Sequence, residues 1–149
     1  MNTEATADRE FLHSRLLDAG QQDVFRAFAE PERLARWWGP DGFTSTFEAF
    51  DLQPGGVWRF VMHGPDGTDY PNENVFRELD LPGRVVIEHV SQDHHFLLTI
   101  TFEARAGQTL VGWRQVFDTA EHKQRIAPMV EPANEQNLDR LQAEVARVK

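Results

Sequence analysis

The sequence predicts an α+β domain in which a curved antiparallel sheet of six or seven strands wraps one long C-terminal helix, with two short helices after the first strand. Three observations carry this. Apolar residues between 43 and 118 recur with period two, the spacing that puts alternate side chains on opposite faces of a strand. The links between these stretches are short and rich in Pro, Gly and Asp, as hairpins require. After residue 118 the period becomes helical.

In chain order, residues 1–8 are polar and read as a disordered or loosely held tail, and residues 9–149 as a single domain. Residues 9–17 alternate weakly, like an outer strand, and Ala19-Gly20 ends them. Val24, Phe25 and Phe28 fall at helical spacing within 21–29, and Pro31 suits the first turn of a second short helix. That helix, 32–38, directs Leu34, Trp37 and Trp38 inward until Gly39-Pro40-Asp41-Gly42 closes it. One tryptophan should anchor the helices to the sheet and the other should meet a ligand.

Strands follow at 43–50, 57–63, 72–79, 84–91, 94–104 and 108–118, in meander order. Asp118 and Glu121 have the form of a capping box. Pro128 and Pro132 should split the terminal helix into 119–127 and 132–148. On the latter, Asn134, Leu138, Leu141, Val145 and Val148 share a stripe that must pack on the sheet, while Arg140 and Glu144 pair on the solvent side.

Composition narrows function. Fifteen Lys and Arg against 24 Asp and Glu give a net charge of −9, which repels phosphate backbones and anionic membranes. Nucleic acid and membrane are therefore not expected partners. Cysteine is absent, which removes disulfides and thiolate metal sites. The polar, acidic N-terminus lacks the pattern of a signal peptide, and no apolar run matches a membrane span, so a cytoplasmic protein is expected. Eleven Phe and four Trp against one Tyr form an apolar set of rings, suited to a core or a dry pocket.

The stretch Pro31-Glu32-Arg33-Leu34-Ala35-Arg36-Trp37-Trp38-Gly39-Pro40-Asp41-Gly42-Phe43 resembles the signature of the SRPBCC (START-like) superfamily. The branch it resembles is the C-terminal domain of the activator of the ninety-kilodalton heat-shock protein ATPase. Pro54-Gly55-Gly56-Val57-Trp58-Arg59-Phe60, Met62-His63-Gly64-Pro65-Asp66-Gly67 and Asn137-Leu138-Asp139-Arg140-Leu141 resemble the same branch. The resemblance implies a helix-grip fold with a hydrophobic cavity between the sheet and the C-terminal helix.

A small hydrophobic or amphipathic ligand is the first functional expectation, with a non-catalytic role. The expected wall comprises Trp38, Trp58, Phe60, Met62 and Phe76, then Phe96, Trp113, Phe117 and Leu138. Glu88, His94, Gln115 and Asn134 are its expected polar members, since a buried amide needs a partner that a ligand can supply. The alternatives are a cyclase- or dehydratase-like enzyme for polyketide-like substrates, using Glu78, Glu88, His89 or His94, and a chaperone-associated module. No cofactor is expected. Neither is a metal, because His94 and His95 are adjacent on a strand and point to opposite faces. A monomer or homodimer is expected.

Overall fold

The computed structural model describes residues 3–148, with side chains from Thr6 onward. A 3-10 turn at Thr3–Arg9 leads into β1 (Glu10–Leu17), α1 (Gln21–Ala29) and α2 (Pro31–Trp37). Six strands follow: β2 (Thr44–Phe50), β3 (Val57–His63), β4 (Asp69–Asp80), β5 (Arg84–His89), β6 (Phe96–Arg105) and β7 (Gln108–Phe117). The last element is α3 (Ala120–Val148). The seven strands form one antiparallel sheet in the order β1-β7-β6-β5-β4-β3-β2. This is the α+β helix-grip arrangement expected from the sequence.

The meander from β2 to β7 follows from short turns, and β1 closes on β7 with Phe11 opposite Gln115 and His13 opposite Trp113. Helices α1 and α2 therefore bridge the two edges of the sheet. On the concave face, α3 packs against β1, β7, α1 and α2. Because it sits toward the β1 edge, part of the concave face over β3 to β6 is left without a covering helix.

Two β-bulges set which rings enter the core. A register shift between Phe47 and Ala49 lets both Phe47 and Phe50 pack inward, although they are three residues apart. Another between Phe76 and Glu78 does the same for Phe76 and Leu79. The core itself is aromatic, with fully buried Phe28 of α1 edge-on to Trp58, Phe50 and Phe76.

Four local expectations are corrected. The N-terminal stretch is held rather than loose where it is described: buried Thr6 donates to Glu10 and accepts from Arg114, and Arg9 donates to the Phe117 carbonyl. The first two residues lie outside the described ones. Next, α3 is one continuous helix through Pro128 and Pro132. Both prolines are exposed and spaced four apart, so the carbonyls they orphan face water, while buried Val130 and Asn134 fix the opposite side. Third, the helix begins on Thr119, whose hydroxyl accepts from the His122 N–H, while Asp118 turns to His95.

Finally, Arg140 and Glu144 do not pair with each other, and Val148 is exposed. Arg140 donates to four carbonyls at 2.8–2.9 Å, those of Arg36, Gly39, Pro40 and Phe43. It thus clamps the end of α2 and its following loop to α3, with a positive charge where the α2 dipole is negative. The planar five-donor fork is what allows this, so Arg140→Lys should cost about 1–2 kcal/mol, because an ammonium cannot reach all four carbonyls. Chemical denaturation would check it, and an unchanged midpoint would show that the clamp contributes nothing.

Candidate functional site

A cleft of about 390 Å³ opens between α3, the loop after α2, and strands β3 to β7. Register builds its floor. Phe60 faces Asn72 across β3 and β4, His89 faces Asn74 on β4 and Phe96 on β6, and Leu98 faces Gln115 across β6 and β7. From α3, Met129, Val130, Ala133, Asn134 and Asn137 form the roof. The loop supplies Trp38, Gly39, Pro40 and Phe43 as a side wall. Gly39 has φ +107°, a backbone conformation that calls for glycine, while the Met62 methyl that a Cβ would meet at 2.7 Å is the end of a flexible side chain and can swing aside.

The two tryptophans divide their roles. Trp37 is buried and donates its indole N–H to the Ala27 carbonyl at 2.8 Å, anchoring α2 to α1. Trp38 lines the cleft, its ring 4.7 Å from Trp58 and 5.5 Å from Trp113. At the mouth, Tyr70 and Met129 are largely exposed.

Among the sequence-predicted wall residues, Trp38, Phe60, Met62, Phe96 and Trp113 line the cleft, as do His94, Gln115 and Asn134. Four others do not. Trp58, Phe76 and Leu138 are wholly buried behind it, and Phe117 packs with Phe11 and Val130 in a separate cluster. Glu88 is on the other face: it sits opposite Leu97 and Val75, pairs with Arg77, and accepts from His95 at 2.8 Å. Glu78 also points away, toward Arg84. A carboxylate acid–base role in the cleft is thereby removed. The residues that sequence reasoning left out include Tyr70, Asn72 and Asn74 of β4, Leu98 and the loop positions 39, 40 and 43. The period-two pattern of β4 contained the signal for Asn72 and Asn74, which share a face with Phe76.

The polar groups of the cleft are neutral. Asn134 donates to the Gln115 side-chain oxygen at 3.0 Å. Asn137 donates to the Trp37 carbonyl and accepts from the Gly39 N–H, which ties roof to wall. His89 stacks on Phe96 at 4.7 Å and bonds Asn74 at 2.9 Å. Burial lowers the His89 pKa to about 4, aided by the charges of His94 and His95. His94, beside Phe96 and Phe117, is also lowered by burial and by neighbouring His122. On the opposite face His95 is raised, since its bonds to Asp118 and Glu88 outweigh desolvation. Imidazoles that stay neutral at physiological pH can accept or donate hydrogen bonds without bringing charge into an apolar cleft. Among the described residues, no cluster of three His, Cys, Asp or Glu is arranged to hold a metal, and no helix is long and apolar enough to cross a membrane.

A family model described as Activator of Hsp90 ATPase homolog 1-like protein matches residues 18–146. No curated protein matches the sequence. Among solved structures, a protein from Arthrobacter aurescens superposes with a TM-score of 0.88 at 24% identity, over 99% of this chain and 90% of that one. One from Nitrosomonas europaea gives 0.87 at 20% identity, over 96% and 97%. An AHSA1-like protein from Aeromonas hydrophila gives 0.73 at 20% identity, over 93% and 94%. At these identities the structures share the fold.

Proposed function

The chain belongs to the family of Activator of Hsp90 ATPase homolog 1-like proteins, and from that premise and the geometry of the cleft we propose that it binds a small hydrophobic or amphipathic molecule between the sheet and α3. The observation that carries this reading is the cleft's lining. The cleft measures about 390 Å³, within the usual range for small-molecule sites, and among the described residues its lining includes no Asp, Glu, Lys or Arg. Aromatic walls with a few fixed amides and imidazoles are what an apolar ligand with one polar end requires. A core packed only for stability would fill this space with side chains.

Thermal unfolding against fatty acids, flavonoids and aromatic polyketide-like compounds tests the proposal. A ligand present at 100 times its Kd should stabilise the protein by about 2.7 kcal/mol, a rise of roughly 5–11 °C in Tm for a chain of this size. Ala133→Trp, on the roof, should leave the fold intact and abolish that rise by filling the cleft. Ligand shifts that persist in this variant would place binding elsewhere. A chaperone partner, the alternative drawn from the family name, would bind the variant as well as the wild type, because a surface contact does not use the cleft.

A further inference from the structure

Hydrogen-bond partners fix the tautomers of the two cleft histidines. Arg125 donates to His122 Nδ1 at 2.8 Å, so that nitrogen accepts and a neutral His122 carries its hydrogen on Nε2. His122 Nε2–H then donates to His94 Nδ1 at 3.2 Å, which leaves the His94 hydrogen on Nε2. On the sheet, Asn74 Oδ1 can only accept, so His89 Nδ1–H donates to it at 2.9 Å and a lone pair remains on His89 Nε2. Neither Nε2 has a partner among the described residues, and the two ring centroids are 6.0 Å apart. One donor and one acceptor are therefore left open on neighbouring rings that both pack on Phe96, in a cleft with no charged lining residue among the described ones.

A group that only accepts cannot satisfy this pair. A carboxylate or an ether oxygen would set lone pairs against His89 Nε2, and a buried carboxylate would have no cation to meet. A hydroxyl both donates and accepts, and an oxygen bridging two nitrogens by ordinary hydrogen bonds holds them about 4.5–5.5 Å apart, a separation open to nitrogens on rings whose centroids are 6.0 Å apart. Resting on the small-molecule reading above, we propose that the cleft selects neutral, hydroxyl-bearing aromatic ligands, whose O–H donates to His89 Nε2 while its oxygen accepts from His94 Nε2–H. The low pKa of both imidazoles keeps this pairing uncharged at physiological pH. Unmet hydrogen-bonding groups are what make such a site discriminate against analogues of the same size.

The test is calorimetric titration of the intact protein at neutral pH with 2-naphthol, 2-methoxynaphthalene and 2-naphthoate, which share one ring system. Naphthol should bind at least ten-fold more tightly than either analogue. His89→Phe and His94→Phe should each reduce naphthol to the level of the ether without weakening the ether itself, which serves as the check that the cleft is intact. Equal affinity for naphthol and ether, or histidine variants that keep the naphthol preference, would overturn this inference and leave the small-molecule reading standing. Tighter binding of naphthoate would also overturn it, because it would require a cationic imidazole. Absence of binding by all three would count against both readings.

Discussion

Trp58→Ala should cost about 3–5 kcal/mol of stability, the range for removing a large ring from a rigid core. Trp58 is completely buried and lies at the centre of the aromatic cluster. Its ring is 4.7 Å from Trp38, 4.8 Å from Phe60 in a stacked arrangement, 5.5 Å from Phe47 and 6.1 Å from both Phe28 and Phe76. These partners come from α1, the loop after α2 and three strands, so no single shift closes the hole. The indole N–H has no hydrogen-bond partner among the described residues, which sharpens the expectation. Trp58→Phe should stay within about 1 kcal/mol of wild type, since the lost area is offset by removing a buried, unmet donor. Urea denaturation measures both. A loss below about 1 kcal/mol for the alanine variant would mean that the cluster is plastic and that Trp58 is wall rather than core.

That residue also shows where sequence reading stops. Period two in β3 groups Trp58, Phe60 and Met62 on one face, and the structure puts all three on the concave face. What the pattern does not contain is position along the strand. Trp58 and Phe76 lie where α1 brings Phe28 down onto the sheet, whereas Phe60, Met62 and Asn74 lie toward the uncovered end. Which end is covered depends on long-range packing of α1 and α3, for which no local signal exists. Glu88 was misplaced for a related reason. Its phase is fixed only by the register of β5 against β4 and β6, and a shift of one residue exchanges it with His89. By contrast, the element order and the inward helix stripe through Leu138 and Leu141 were legible from spacing, whereas spacing left open whether the Gln115 and Asn134 amides, which bond each other at 3.0 Å, face inward. The i,i+4 rule failed for Arg140 and Glu144 because stronger partners arrive from α2 and its loop, about a hundred residues away in sequence.

Glu144 carries the second large prediction: Glu144→Ala should cost about 3–5 kcal/mol. Its carboxylate is nearly inaccessible and accepts from Arg33 at 2.9 Å and Arg147 at 2.9 Å, with Arg36 at 3.6 Å. Arg36 and Arg147 are about half exposed and would regain water, but Arg33 is only 9% exposed and would be left as a buried, unpaired cation. The double change Arg33→Met with Glu144→Leu should therefore be far milder than Glu144→Ala, because it removes both charges. Acidity provides an independent readout. Desolvation raises the Glu144 pKa, but its bonds to Arg147 and Arg33 outweigh this and hold it below the ordinary 4.5. A depressed carboxylate stabilises the fold above the unfolded value and loses that contribution as pH falls through the folded one. The wild type should consequently weaken below about pH 4.5, and Glu144→Ala should show a shallower fall, the remainder coming from Glu88 and Glu135, whose carboxylates their own partners also hold down. His89 acts in a different window: its pKa of about 4, against 6.5 unfolded, means that stability declines as pH drops between those values in both proteins. Denaturation midpoints measured across this range separate the two groups. A Glu144→Ala variant that retained the wild-type fall below pH 4.5 would show that the acid sensitivity comes from other carboxylates, and that water already screens Arg33.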